Sequence, residues 1–158
     1  MRDSLWLLTL AVACSGSPAV DARSKGRSMD VNLTLERTEL ASGDDLAIEV
    51  VVTNHTGQPV RLNTMTFGYP SLVLRVRDGA GNRVPLGPPP TPWDDDGESD
   101  RQTLAPGASA RFAYRKIFGS APPPGDYEVA FQAELRKGPT GRDWEGKLAS
   151  EWVRFHIR

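Results

Sequence analysis

The chain has one cysteine, Cys14, so no disulfide can close within it. Histidine is nearly as scarce: His55 and His156 stand far apart, with no cysteine or carboxylate at metal-ligand spacing. His-Glu-x-x-His, Gly-x-Ser-x-Gly and a phosphate-binding glycine loop are all missing, and no Ser/His/Asp arrangement has local support. No enzyme activity, cofactor or metal is therefore expected. An excess of one charge is also lacking. With Lys+Arg 19 against Asp+Glu 20, the net charge of -1 exerts no broad pull on nucleic acid or anionic lipid. No nucleic-acid partner is expected. No apolar run reaches the roughly 20 residues of a membrane-spanning helix, and no segment carries a convincing helical period.

What is present is the composition of a soluble globular domain, 39% hydrophobic and 25% charged, with Gly 15 and Pro 13 on the turn-rich side that short-stranded folds require. At 158 residues the chain supports one domain with a sizeable core. The N-terminus stands apart. Arg2 is followed by an apolar stretch, Leu5-Trp6-Leu7-Leu8-Thr9-Leu10-Ala11-Val12-Ala13, of signal-peptide length. Leu10-Ala11-Val12-Ala13-Cys14 resembles a bacterial lipobox, in which the cysteine is diacylated and becomes the mature N-terminus. The alternative is ordinary secretory cleavage after Ala22, at Val20-Asp21-Ala22. The expectation is a signal peptide over 1–14, a flexible tether over 15–28 and a domain over 29–158. Acyl chains on Cys14 would hold that domain on the outer or cytoplasmic membrane; without them it would be secreted or periplasmic.

Within the domain, apolar and polar residues alternate with the period of a strand, because successive strand side chains point to opposite faces. Tyr127, Val129, Phe131, Ala133 and Leu135 face one way, and Asp126, Glu128, Gln132 and Glu134 the other. Similar alternation runs over 31–37, 46–53, 59–63, 71–77, 109–118 and 147–157, with brief pieces at 83–85 and 103–107. Turn clusters such as Asn54-His55-Thr56-Gly57 and Asp78-Gly79-Ala80-Gly81-Asn82 separate them. In the last run Val153, Phe155 and Ile157 face in and Arg154, His156 and Arg158 face out. Trp152 then falls outward unless a bulge shifts the register. The pattern predicts an all-β fold, an antiparallel immunoglobulin/fibronectin-like β-sandwich of about seven to nine strands.

The turn grammar Asn54-His55-Thr56-Gly57-Gln58-Pro59-Val60, Val76-Arg77-Asp78-Gly79, Leu104-Ala105-Pro106-Gly107-Ala108-Ser109 and Pro124-Gly125-Asp126-Tyr127-Glu128-Val129 resembles that of immunoglobulin-like sandwiches in bacterial envelope proteins. In particular it is similar to the non-catalytic N-terminal domain of deuterolysin-type metalloendopeptidases and, more loosely, to BsuPI-type proteinase inhibitors. The resemblance implies a fold and no catalysis, since the zinc-protease motif is missing. Tyr127 after Pro-Gly also looks like a tyrosine corner, its hydroxyl bonded to backbone upstream. Gly125, Tyr127 and Phe131 are thus expected to be structural.

Residues 86–101 have neither strand nor helix period and read as a long surface excursion. Within it Trp93, Asp94, Asp95, Asp96, Glu98 and Asp100 form the candidate ligand or partner loop. The carboxylates are of the kind calcium takes, yet they lack EF-hand spacing and its closing Glu, so the run reads as a solvated loop. Trp93, Trp144 and Trp152, with Phe67 and Tyr69, offer an aromatic platform or else lids on the core. Arg75, Arg77, Arg111, Arg115 and Lys116 read as one basic sheet face or as ordinary solvated charges. The functional expectation is a non-catalytic binding module of the cell envelope that engages another envelope or extracellular protein. The alternatives are a proteinase inhibitor acting through the 87–100 loop and a carbohydrate-binding module.

Overall fold

The computed structural model describes residues 21–23, 29–87, 101–138 and 141–158. Cys14 and the loop from Trp93 to Asp100 lie outside the described residues. Among the described residues twelve strands are formed: β1 (Asp21–Arg23), β2 (Met29–Leu35), β3 (Glu39–Leu40), β4 (Ile48–Asn54), β5 (Val60–Asn63), β6 (Leu74–Asp78), β7 (Arg83–Val84), β8 (Arg101–Leu104), β9 (Ser109–Tyr114), β10 (Gly125–Leu135), β11 (Gly146–Ala149) and β12 (Val153–Ile157). The fold is an all-β sandwich. Its strands outnumber the seven to nine expected because β1, β3 and β7 are short edge pieces and because the last run is cut in two. One further difference lies at Ser71 to Val73, which the alternation assigns to a strand. Pro70 instead starts a single helical turn, α1 (Pro70–Val73), its fixed φ suiting the first helical position.

One sheet runs β1-β2-β4-β9, and the other runs β3-β12-β10-β6-β7 with β11 also on β10. A separate pair, β5-β8, closes one side. The pairs are antiparallel except β12 with β3. The composition of residues 15–28 predicts a tether without structure, yet β1 within it pairs with β2 and satisfies edge backbone groups that would otherwise stay open. Strands β2 and β4 bury alternate residues, with Val31, Leu33, Val50 and Val52 fully buried. Phe67, on a 3-10 turn at Met65–Gly68, joins the two layers. Its ring meets Phe112 of β9 edge-on at 4.8 Å and Phe131 of β10 edge-on at 5.3 Å, the arrangement that ring quadrupoles favour. Phe67 is therefore core and unavailable to a ligand platform.

β10 is the central strand of its sheet, with β6 on one side and β11 and β12 on the other. Gln132 pairs with Ala149, and Val129 pairs with Val153. Two residues of β10, Ala130 and Phe131, thus oppose three, Ser150, Glu151 and Trp152: a β-bulge. Ser150 stitches it, donating its backbone N–H to Phe131 O at 2.9 Å and accepting the Phe131 N–H on its hydroxyl at 2.9 Å. The bulge also reverses the facing pattern. Leu148 and Ser150 are buried before it, and Val153, Phe155 and Ile157 after it. Without the extra residue Trp152 would share the inner face with Leu148 and Ser150.

Smaller devices hold the ends. Tyr127 donates its hydroxyl to Pro123 O at 2.5 Å and stacks on Phe155 at 5.4 Å. Gly125 before it has φ 154, a value that side-chain-bearing residues rarely adopt. Asn54, fully buried, donates to Gln58 O and Leu104 O and accepts from Thr56, which locks two neighbouring turns together. Asp143, also buried, receives Arg101 Nε at 3.2 Å and lies 3.0 Å from Arg61 Nε. The Arg61 contact lacks hydrogen-bond alignment at Oδ1, so charge attraction holds it.

Two predictions follow from the packing. Ser150→Ala strands the buried Phe131 N–H and should cost about 1–3 kcal/mol in chemical denaturation; an unchanged midpoint would refute the stitch. Tyr114 carries a buried hydroxyl without a hydrogen-bond partner, and burial pushes its ionisation well above the ordinary phenol range. The neutral form is the one the fold favours, so this group's contribution is intact below about pH 10 and is lost as pH rises above it. Tyr114→Phe should leave the melting temperature at neutral pH equal or higher and should flatten the alkaline loss.

Candidate functional site

The aromatic and basic residues do not form one platform. Arg111 and Arg115 belong to the four-stranded sheet side, where Glu49 and Glu36 pair with them at 2.6 and 3.1 Å. Lys116, exposed at φ 52, ends that strand's run. Trp144 packs half-buried against the core. Its ring lies over Gly146, where a Cβ would come within 2.5 Å of it, so only glycine fits there. His55 sits in the turn after β4, 4.0 Å from Asp30, and His156 on β12, 2.8 Å from Asp126. Among the described residues no three His, Cys, Asp or Glu side chains converge on a metal-sized space.

Arg75, Arg77 and Trp152 do come together, on the outer face of the six-stranded sheet. Pairing places Arg83, Arg77, Glu128 and Arg154 in one row across β7, β6, β10 and β12. Glu128 is the hub. Its carboxylate accepts Arg77 Nε at 2.6 Å and Arg154 Nε at 3.0 Å. The Arg154 and Arg77 hydrogen bonds hold its ionisation below the usual carboxylate range. The adjoining row carries Arg75 opposite Ala130, with the bulge bearing Trp152 on the other side. The Arg77 guanidinium lies over the Trp152 ring, its Cζ 4.1 Å from the centroid, within cation–π range. Arg75 is half-buried and donates to Leu74 O at 2.8 Å. Burial, and then the neighbouring Arg83, lower its ionisation from the ordinary arginine value.

Chemically the face is an ordered cluster of guanidiniums around one carboxylate and one indole ring. A carboxylate clamped by two guanidiniums is a weak base, and His156, diagonal to it on the same face, is engaged by Asp126 at 2.8 Å. A tryptophan fixed by an arginine on a rigid sheet is instead the composition of a binding hot spot. From sequence alone, the grouping is hidden by strand order: β6, β10 and β12 are distant in the chain and become neighbours only on folding.

No protein-family model matches the chain, and no curated protein is similar to it in sequence. Among solved structures, a β-glucosidase of Listeria innocua in complex with isofagomine is 12% identical, with TM-score 0.44, over 82% of this chain and 16% of that one. The alkylpurine DNA glycosylase AlkC of Pseudomonas fluorescens, bound to DNA containing an abasic site analog, is 10% identical, with TM-score 0.38, over 78% and 28%. The yjhA protein of Bacillus subtilis is 13% identical, with TM-score 0.38, over 85% and 97%. This chain spans only a small part of the first two, and at these scores none bears on what it does. Among the described residues, no helix is long and apolar enough to cross a membrane.

The Glu128 clamp has a pH signature. Because its folded ionisation is depressed, the clamp's contribution is present above the unfolded value of about 4.3 and is lost as pH falls through the folded one. Glu128→Gln should therefore be less stable than the native chain at neutral pH and converge with it in acid. Parallel stability curves for the two proteins down to low pH would refute the clamp.

Proposed function

We propose that this chain is a non-catalytic binding module of the cell envelope, lipid-anchored through Cys14 or secreted, that engages another protein through the outer face of its six-stranded sheet. The observation that carries the reading is Trp152, lifted to that face by the bulge and held under Arg77. Trp and Arg are the residues most enriched where interfaces concentrate their binding energy, and a preformed pair has little ordering entropy left to lose. The anchor rests on the Leu10-Ala11-Val12-Ala13-Cys14 motif, and two or more acyl chains would hold the module stably at a membrane. The likeness of its turns to envelope sandwiches belongs to the same proposal.

The test uses the full chain in its host, with the photo-crosslinker benzoylphenylalanine placed at Arg154, whose side chain is 88% exposed on this face, or at Arg111 on the opposite sheet. A discrete protein adduct from position 154 and none from 111 is expected. Adducts from 111 alone, or none from either, would overturn the reading.

A further inference from the structure

Positive charge is concentrated at one part of the outer face. Four arginines, Arg75, Arg77, Arg83 and Arg154, gather around the carboxylate of Glu128, while the face's other β10 carboxylates, Asp126 and Glu134, lie to either side and face His156 and Lys147. Glu128 is already shared between Arg77 and Arg154. Arg83 stands directly opposite Arg77 across β6 and β7, an arrangement of like charges that destabilises a sheet. Arg75 lies diagonally across from Arg83, close enough for the two to repel. Its own hydrogen bonds go to the carbonyls of Leu74 and Ser71, which hold the guanidinium in place without neutralising it. Among the described residues no carboxylate pairs with Arg75 or Arg83.

We infer that the protein partner presents an acidic segment whose carboxylates lie across Arg75, Arg77 and Arg83, beside Trp152. This rests on the binding-module reading and specifies the partner's chemistry. Guanidiniums bind carboxylates through paired N–H donors, which gives direction as well as attraction. A peptide fits better than a long polyanion or a lipid surface, for two reasons. The basic cluster is short and is bordered on the same face by Asp126 and Glu134, which would repel an extended phosphate backbone or an anionic bilayer. The edge strand is also short here: β7 pairs only with Val76 and Arg77 and is followed by Pro85, which has no N–H to donate. Among the described residues the edge of β6 beside Leu74 and Arg75 has no strand partner, so an extended peptide can pair there through its backbone.

The experiment measures fluorescence anisotropy of a labelled peptide of alternating Glu and Thr, titrated with the full chain. Saturable binding is expected, weakened by salt and absent for the same peptide with Gln in place of Glu. Arg83→Glu, an exposed position whose side chain pairs with no carboxylate among the described residues, should weaken binding at least about tenfold, the scale of one lost charge-assisted contact. Arg111→Glu on the opposite sheet should leave it within about twofold. Unchanged melting temperatures would confirm that both variants fold. No saturable binding of the Glu peptide, equal binding of the Gln peptide, or indifference to Arg83→Glu would each overturn the inference. So would tighter binding to an oligonucleotide or to phosphatidylglycerol vesicles than to the Glu peptide. A crosslinked protein at position 154 together with no Glu-peptide binding would leave the module reading standing and the acidic-partner inference refuted.

Discussion

One extra residue in the last strand decides what each face of this sandwich displays. Backbone hydrogen bonding fixes the pairing of a strand, and side-chain alternation then fixes its facing, so a single inserted residue turns every later side chain over. At Ser150 that reversal lets Leu148 and Val153, residues of opposite parity, both reach the core. The same step puts Trp152 on the solvent side, next to Arg77. The hydroxyl of Ser150 accepts the Phe131 N–H that the interrupted ladder would leave open, so the irregularity costs little in lost hydrogen bonds.

Core and outer face thus share their supports. Phe131 packs edge-on against Phe67, which reaches Phe112 in the other sheet, and this chain of rings sets the spacing between layers. On the reverse side of the same strand, Ala130 and Glu128 carry the arginine cluster proposed to meet a partner. A rigid central strand is a suitable base for a binding site because its side chains are ordered before any partner arrives. The result is a face whose shape is set by packing and whose attraction is set by an excess of guanidinium groups.

Much of the fold was legible in the sequence. The strand from Gly125 to Leu135 has the bounds its alternation predicts, and the turn signals at Asn54 and Asp78 mark real turns. Ser71 to Val73 misled because β-compatible side chains give no hint that Pro70 starts a helical turn. The last run was read as continuous, although a sign of the bulge was present: Leu148 and Val153 are both strongly apolar, and no single alternation buries both. The site was much less legible. Arg77, Glu128 and Arg154 are brought together by strand order, a long-range property that local pattern does not encode. The basic residues, which read as one sheet face or as ordinary solvated charges, divide between two sheets, and the candidate loop from Trp93 to Asp100 lies outside the described residues.

The account's central claim is that the outer face around Trp152 is the surface this protein works with. Hydroxyl-radical footprinting of the full chain, purified and in its native envelope fraction, tests it most directly by reading side-chain protection on both sheets at once. The account predicts protection in the envelope concentrated at Trp152 and His156, with Arg111 on the outer face of the other sheet unchanged. Equal reactivity at Trp152 in both samples, or protection centred on Arg111, would contradict it.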